Sequence, residues 1–259
     1  MIKLNQIYNL DAITFLEKLH SSFGDESINL FLCDLPYTFK GKNRVTANKW
    51  DLPIDEKKLF ELATKMLTPS GAIVLTATNP FASYLVINHL DMFKYEWIWE
   101  KDNGSNFVHV KHQPFKVHEQ ILVFGKSATT YTKSGNNMLY NPQFTEGKPY
   151  KVKRKGMTEN LATSEGYERT SGEYDGKRYP RSVQKFNVEK GLHTTQKPVK
   201  LFEMLINTYT NENDVVVDCC VGSGTTAIAC ENTGRNFIVN DFDLKYVEVT
   251  KNRLKGMNK

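Results

Sequence analysis

Asp214-Val215-Val216-Val217-Asp218-Cys219-Cys220-Val221-Gly222-Ser223-Gly224-Thr225-Thr226 reads as a strand, a turn and the start of a helix. Residues 214–219 are mostly apolar and β-branched, the pattern of a strand buried on both faces. Gly222 and Gly224 permit a tight turn, and without Cβ atoms the backbone there can come close to a ligand. The helix that opens at Thr225 presents unpaired N–H groups at its start. A further strand at 236–240 ends in Asp241, nineteen positions after Gly222. That is close to the roughly 20 residues that separate a glycine loop from an acid accepting hydrogen bonds from ribose hydroxyls. The loop has neither the Lys of a phosphate-binding loop nor the third glycine of a dinucleotide fingerprint. Nucleoside triphosphate hydrolysis and a nicotinamide cofactor are therefore disfavoured.

The same alternation runs through the rest of the chain. Strands are expected at 2–9, 28–33, 72–78, 95–99 and 120–124, with a turn at 68–71. Helices are expected at 12–19, 55–66, 80–90, 199–208, 225–233 and 244–254, the first two with apolar residues at helical spacing. Alternating strands and helices predict an α/β fold with a mostly parallel, doubly wound sheet, whose ligands bind at the carboxyl ends of the strands. Two notable clusters, Asp34-Leu35-Pro36-Tyr37 and 218–225, both fall at expected strand ends. A shared site follows from that placement alone.

Between 126 and about 188 the periodicity fades, and Gly, Ser, Thr, Asn, Lys and Tyr dominate. Residues 126–197 hold fourteen Lys or Arg against seven Asp or Glu, a net of +7, although the whole chain of 259 residues carries only +5. A basic segment on a slightly acidic body suits a polyanionic partner. Tyr131, Tyr140, Tyr150, Tyr167, Tyr174 and Tyr179 are interleaved there, able to stack on bases or to pack a small core, with packing favoured. The chain divides on this basis into a half at 1–125, an insert at 126–190 and a second half at 191–259. No run of 18 or more apolar residues and no signal-peptide pattern occurs, so a cytoplasmic location without membrane contact is expected. Cys33, Cys219, Cys220 and Cys230 form no C-x-x-C pair and read as buried free thiols rather than metal ligands.

Asp34-Leu35-Pro36-Tyr37 carries the chemistry. An exocyclic amino group has two N–H donors, which a carboxylate and a main-chain carbonyl can accept together. Held so, the nitrogen lone pair leaves conjugation with the ring and points at an electrophile. Tyr37 offers a flat face on which a base can stack, worth about 1–3 kcal/mol.

In this order, the catalytic cluster first, the basic segment next and the glycine loop last, the chain resembles the β class of DNA amino-methyltransferases, whose motif is Asp-Pro-Pro-Tyr. Trp50-Asp51, Trp99-Glu100-Lys101, 118–124, 178–183, 195–199, 237–243 and Arg253-Leu254 agree with it, covering nearly everything outside about 126–176. The resemblance implies a Rossmann-like methyltransferase fold dependent on S-adenosylmethionine, with an inserted target-recognition region. It assigns Asp34 and the carbonyl of Leu35 or Pro36 to the target amine and Tyr37 to the flipped base. It assigns Asp218, Gly222, Ser223, Gly224 and Thr225 to the cofactor's methionine end, Asp241 to its ribose and Asp11 to the region of its adenine. Lys197 and Pro198 would close the pocket. Leu35, Cys219-Cys220 and Thr194 depart from the family pattern, and none removes a catalytic group. Duplex DNA is the implied partner, and a second copy of the chain and a restriction endonuclease are candidate partners. Because the motif opens with Asp, adenine is favoured over cytosine. A catalytically inactive DNA-binding relative and an enzyme acting on RNA or protein amides are the rival readings.

Overall fold

The computed structural model describes residues 1–38, 53–130, 135–152, 172–189, 191 and 195–257. Trp50-Asp51, Tyr131, Tyr167 and Thr194 lie outside the described residues. The first strand, β1 (Gln6–Tyr8), is shorter than the sequence suggests, and α1 (Ala12–Phe23) is longer. Asp11 caps α1 by accepting from Ile13 N at 3.0 Å and Thr14 N at 3.2 Å, a bond worth about 1 kcal/mol. Ala12, Phe15, Leu16 and Leu19 form its buried stripe, at the spacing of one helix face. Next come β2 (Ile28–Cys33), α2 (Glu56–Met66), β3 (Leu67–Ala77), α3 (Phe81–Asn88), β4 (Phe93–Glu100) and β5 (His118–Phe124). The expected turn at 68–71 is an irregularity inside β3: Ile28 pairs with Leu67 but Leu30 with Ala72. Gly71 is needed there, since a Cβ would lie 2.7 Å from the carbonyl oxygen of Asn29.

Four short strands follow, β6 (Thr145–Glu146), β7 (Tyr150–Val152), β8 (Gly172–Tyr174) and β9 (Lys177–Arg178), then β10 (Val183–Lys185). The chain closes with α4 (Val199–Tyr209), β11 (Val215–Asp218), α5 (Thr225–Thr233), β12 (Asn236–Asn240) and α6 (Leu244–Met257). The strand order of the main sheet is β1-β12-β11-β2-β3-β5-β4-β10. Of its eight strands, only β5 runs against the others.

Strand side chains alternate between faces, and both faces of this sheet are covered. Phe31 and Cys33 of β2 join Phe15, Leu16, Phe60 and Phe124 on one side. Leu30 and Leu32 join Phe202, Leu205, Ala227 and Phe237 on the other. That is why β2 reads as an almost unbroken apolar run.

The chain forms two compact units, Met1–Asn141 with Ser182–Lys259, and Pro142–Arg181. The smaller is narrower than the compositional insert at 126–190, since Met138 packs in the larger unit's core and β10 joins its sheet. Within the smaller unit β6 pairs with β9 and β7 with β8, both antiparallel. Tyr150 and Tyr174 stack at 4.9 Å with the Arg178 guanidinium 4.2 Å from the Tyr150 ring, and Phe144 meets Tyr179 at 4.8 Å. Among the described residues no helix is long and apolar enough to cross a membrane.

Candidate active site

β2 leads through α2 to β3 on one side of itself, whereas β11 leads through α5 to β12 on the other. The strand order therefore reverses between β2 and β11, which pair in parallel through Leu30–Val216 and Phe31–Val217. Open α/β sheets bind ligands at the carboxyl ends of such a pair. Asp34 follows β2 and Asp218 ends β11, so both sit at that point. A cleft of about 930 Å³ opens there, within the range of small-molecule sites.

Asp34, Leu35, Pro36 and Tyr37 form part of its wall. So do Asp11, Lys197, Asp218, Gly222, Ser223, Thr225 and Asp241. Two of the residues singled out in the sequence stand behind the wall instead. Pro198 is the N-cap residue of α4. Gly224 has φ +87°, and a Cβ there would lie 2.6 Å from the Thr250 side chain of α6; it is needed for close helix packing. Gly222 also has a left-handed φ, +54°, but open space where a Cβ would be.

Asp34 is gripped from three elements. Thr76 of β3 donates to Oδ1, as does Tyr37 at 3.0 Å, and Lys197 Nζ lies 2.6 Å from Oδ2. Glu119 of β5 pairs with Lys101 and lies 3.5 Å from Lys197. It is also 3.3 Å from the Tyr37 hydroxyl, whose single proton it competes for with Asp34. Burial opposes the charge on Glu119, but Lys197 and Lys101 outweigh it and hold its pKa at about 2. Burial likewise opposes the charge on Lys197, and Asp34 and Glu119 reverse the effect and raise its pKa. Burial, Asp34 and Glu119 push the Tyr37 hydroxyl well above its ordinary value, so it stays a donor. The Tyr37 ring packs on Phe81 at 5.8 Å. A carboxylate accepts about four hydrogen bonds, so Asp34 keeps room for one more. Pro36's carbonyl already accepts from Thr38 N at 2.8 Å. Leu35's carbonyl has no partner among the described residues and is the more available acceptor of the two.

The glycine loop forms the other end. Asp218 accepts from the Thr226 hydroxyl and, at 2.9 Å, from Cys220 N; burial raises its pKa to about 7. Asp241 accepts from Gly222 N at 2.8 Å and Asp243 N at 2.9 Å, and burial raises its pKa too. From α6, Arg253 donates to the Ser223 carbonyl at 2.7 Å. Lys197 joins the two ends: its side chain holds Asp34 while its carbonyl accepts from Thr225 Oγ1 at 3.2 Å.

Thr76, Lys101 and Glu119 were missed as site residues. A charged residue opening the apolar run 118–124 was the one available signal. Cys33 Sγ lies 3.8 Å from Cys219 Sγ, and their contact and burial raise the Cys33 thiol well above its usual pKa, as befits an inert core group. Among the described residues no group of three or more His, Cys, Asp or Glu could hold a metal ion.

Comparison with known proteins agrees with this geometry. Residues 28–252 match a family model described as DNA methylase. The type II methyltransferase M1.MboII of Moraxella bovis is 26% identical over 266 residues, 95% of each chain. The DNA adenine methyltransferase YhdJ of Escherichia coli is 30% identical over 254 residues, 94% of this chain and 80% of that one. Among solved structures, M1.HpyAVI in complex with SAM superposes with a TM-score of 0.62 at 22% identity, covering 96% of this chain and 98% of that one. The PvuII DNA methyltransferase, described as cytosine-N4-specific, superposes with a TM-score of 0.68 at 17% identity, covering 98% and 87%; at such identities the likeness is one of fold. The chain belongs to the DNA methylase family that modifies exocyclic amino nitrogens of adenine and cytosine, with S-adenosylmethionine as methyl donor.

Proposed function

We propose that the protein methylates the exocyclic amino group of adenine within a specific duplex sequence, with Asp34 as the group that presents the amine. The observation that carries this reading is the pairing of a spare acceptor site on Asp34 with a Leu35 carbonyl that has no partner among the described residues, at the switch point. Together they match the two N–H donors of an amino group. Asp34 opening the motif favours adenine, and so does the 30% identity to an adenine methyltransferase. The fold shared with a cytosine-N4-specific enzyme keeps cytosine as the second reading.

The cleft suits the methyl donor. Its volume is sufficient, and its acidic lining at Asp218 and Asp241 retains unused lone pairs for ammonium and hydroxyl donors. The bound donor supplies a methyl group made electrophilic by its sulfonium. Asp218, the backbone at Gly222 and Ser223, and Thr225 would hold its methionine portion. Asp241 would hold its ribose, and Asp11 would lie toward its adenine. Asp34 and Leu35 orient the amine lone pair, and Tyr37, its hydroxyl anchored on the carboxylates, supports the base ring. After transfer the surplus proton on the nitrogen passes to Asp34 Oδ and then to solvent. Catalysis is thus mainly positioning, with the base first drawn from the duplex at a cost of a few kcal/mol.

The smaller unit, with Lys148, Lys151, Lys177, Arg178 and Arg181, is the part proposed to contact DNA and read the sequence. A restriction endonuclease is the partner to seek, because relatives carry type II methyltransferase names. The test is transfer of labelled methyl to duplex DNA, followed by nucleoside digestion and sequencing of modified positions. N6-methyladenine is expected; label on cytosine transfers the proposal to the second reading, and no label on any DNA overturns both.

A further inference from the structure

The connection from β4 to β5 carries two adjacent, largely exposed apolar side chains next to residues of the cleft wall. Phe107 is 72% exposed and Val108 67%, in a single turn of 3-10 helix (Phe107–His109). Exposed apolar groups grouped at the rim of a binding cleft are suited to contact what binds there. The loop is held firmly at its base. Asn106 Nδ2 donates to the Pro114 carbonyl at 3.0 Å, and Asn106 Oδ1 accepts from Lys116 N at 2.7 Å. Ser105 N donates to the Lys116 carbonyl at 3.2 Å, which closes the two legs together. A Cβ at Gly104 would strike the Phe115 ring, so that glycine lets the ring brace the stem. Ser105, Asn106 and Lys116 belong to the cleft wall, so the tip projects from the rim of the site. Residues 103–118 include Lys111, Lys116 and three histidines but no Asp or Glu.

A braced loop, free of acids and tipped with apolar groups, at the rim of a base-accepting cleft, has the chemistry of a wedge. We propose that Phe107 and Val108 enter the duplex where the target base leaves it, with Phe107 occupying the vacated place in the stack and Lys111 facing the phosphates. Apolar wedges are a common device for parting base steps, and an acid-free stem avoids repulsion from the backbone. The inference rests on duplex DNA being the substrate.

The experiment compares wild type, Phe107→Ala and Phe107→Leu on two duplexes bearing the methylated site mapped as above. In one the target base is paired; in the other it faces an abasic site. On the paired duplex Phe107→Ala should lose about tenfold or more in kcat/KM, and on the unpaired one stay within about threefold of wild type, since extrusion costs least for an unpaired base. Phe107→Leu should keep about a third or more of the paired-duplex rate, because bulk rather than aromaticity fills the gap. Normal Phe107→Ala activity on the paired duplex, or equal loss on both, overturns the wedge. So does conversion of a dimer to a monomer by Phe107→Ala in sedimentation, which would give the tip to a second copy of the chain. Wild type inactive on every duplex would instead sink the functional reading beneath it.

Discussion

The cleft at the sheet's switch point and the small unit at Pro142–Arg181 use charge in opposite ways. In the cleft, Asp34, Glu119, Lys101 and Lys197 are largely withdrawn from water and joined into a balanced set of two anions and two cations. In the small unit Lys151 and Glu173 pair in the open, as do Lys177 and Asp175. Phe144, Tyr150 and Tyr179 are also exposed there. Buried charges must be paired, so the cleft tolerates almost no change. Exposed pairs are worth about 0–1 kcal/mol, so the small unit can vary its surface freely. A fixed chemistry beside a changeable surface is what a sequence-selective enzyme requires.

The largest contrast should come from Asp34→Ala. Turnover should drop by about a thousandfold or more, as expected when the group that positions the reacting atom is removed. Calorimetry should find S-adenosylmethionine binding within a few-fold of wild type; preserved turnover would remove Asp34 from the catalytic role.

Glu119→Gln comes next. It leaves Lys101 and Lys197 facing one carboxylate, and breaking a buried pair this way costs about 3–5 kcal/mol. Denaturant titration should register that loss, and adding Lys101→Met should recover part of it. The wild-type contribution has a definite pH window. Glu119 has a folded pKa of about 2, below the ordinary carboxylate value. Its stabilisation is complete above the unfolded pKa and is lost as pH falls through about 2. In Glu119→Gln that part of the acid limb should vanish; an unchanged limb would mean that Glu119 is not held by the two lysines.

Asp218 has the opposite sign. Its folded pKa of about 7 means that stability is lost as pH rises from the unfolded carboxylate value through 7. Asp218→Asn should therefore stabilise the free protein above pH 7, by up to about 4 kcal/mol, while weakening donor binding. Stability gained together with affinity lost would mark a group kept for function against stability.

The smallest effect belongs to the small unit. Lys148→Ala with Lys177→Ala should reduce the slope of log K against log salt for DNA by up to about 2. Melting temperature and donor affinity should stay at wild-type values. An unchanged slope would remove these two residues from the DNA contact.

The sequence carried most of the elements, because each strand is a short apolar run and each helix an apolar stripe of local period. The bounds of β2, α5 and β12 were legible almost to the residue, since turn chemistry marks them on both sides. The places of Asp34, Gly222 and Asp241 on the cleft wall were legible for the same reason: each sits at a strand end or a turn, both local patterns. The bulge at 68–71 was legible only as a turn, because strand pairing across it depends on β2.

What no local pattern contained was the ring of partners around Asp34. Lys197 is 163 residues away in the chain, and the Tyr37–Glu119 contact spans 82. They meet because β5 lies beside β3, and because Lys197, just before α4, touches both Asp34 after β2 and Thr225 at the start of α5. Side-chain periodicity tells a strand which faces to bury but not which strand will be its neighbour. Strand order is settled by how whole layers pack, so the residues able to act were written in the chain, and the company that charges, orients and restrains them was decided by the fold.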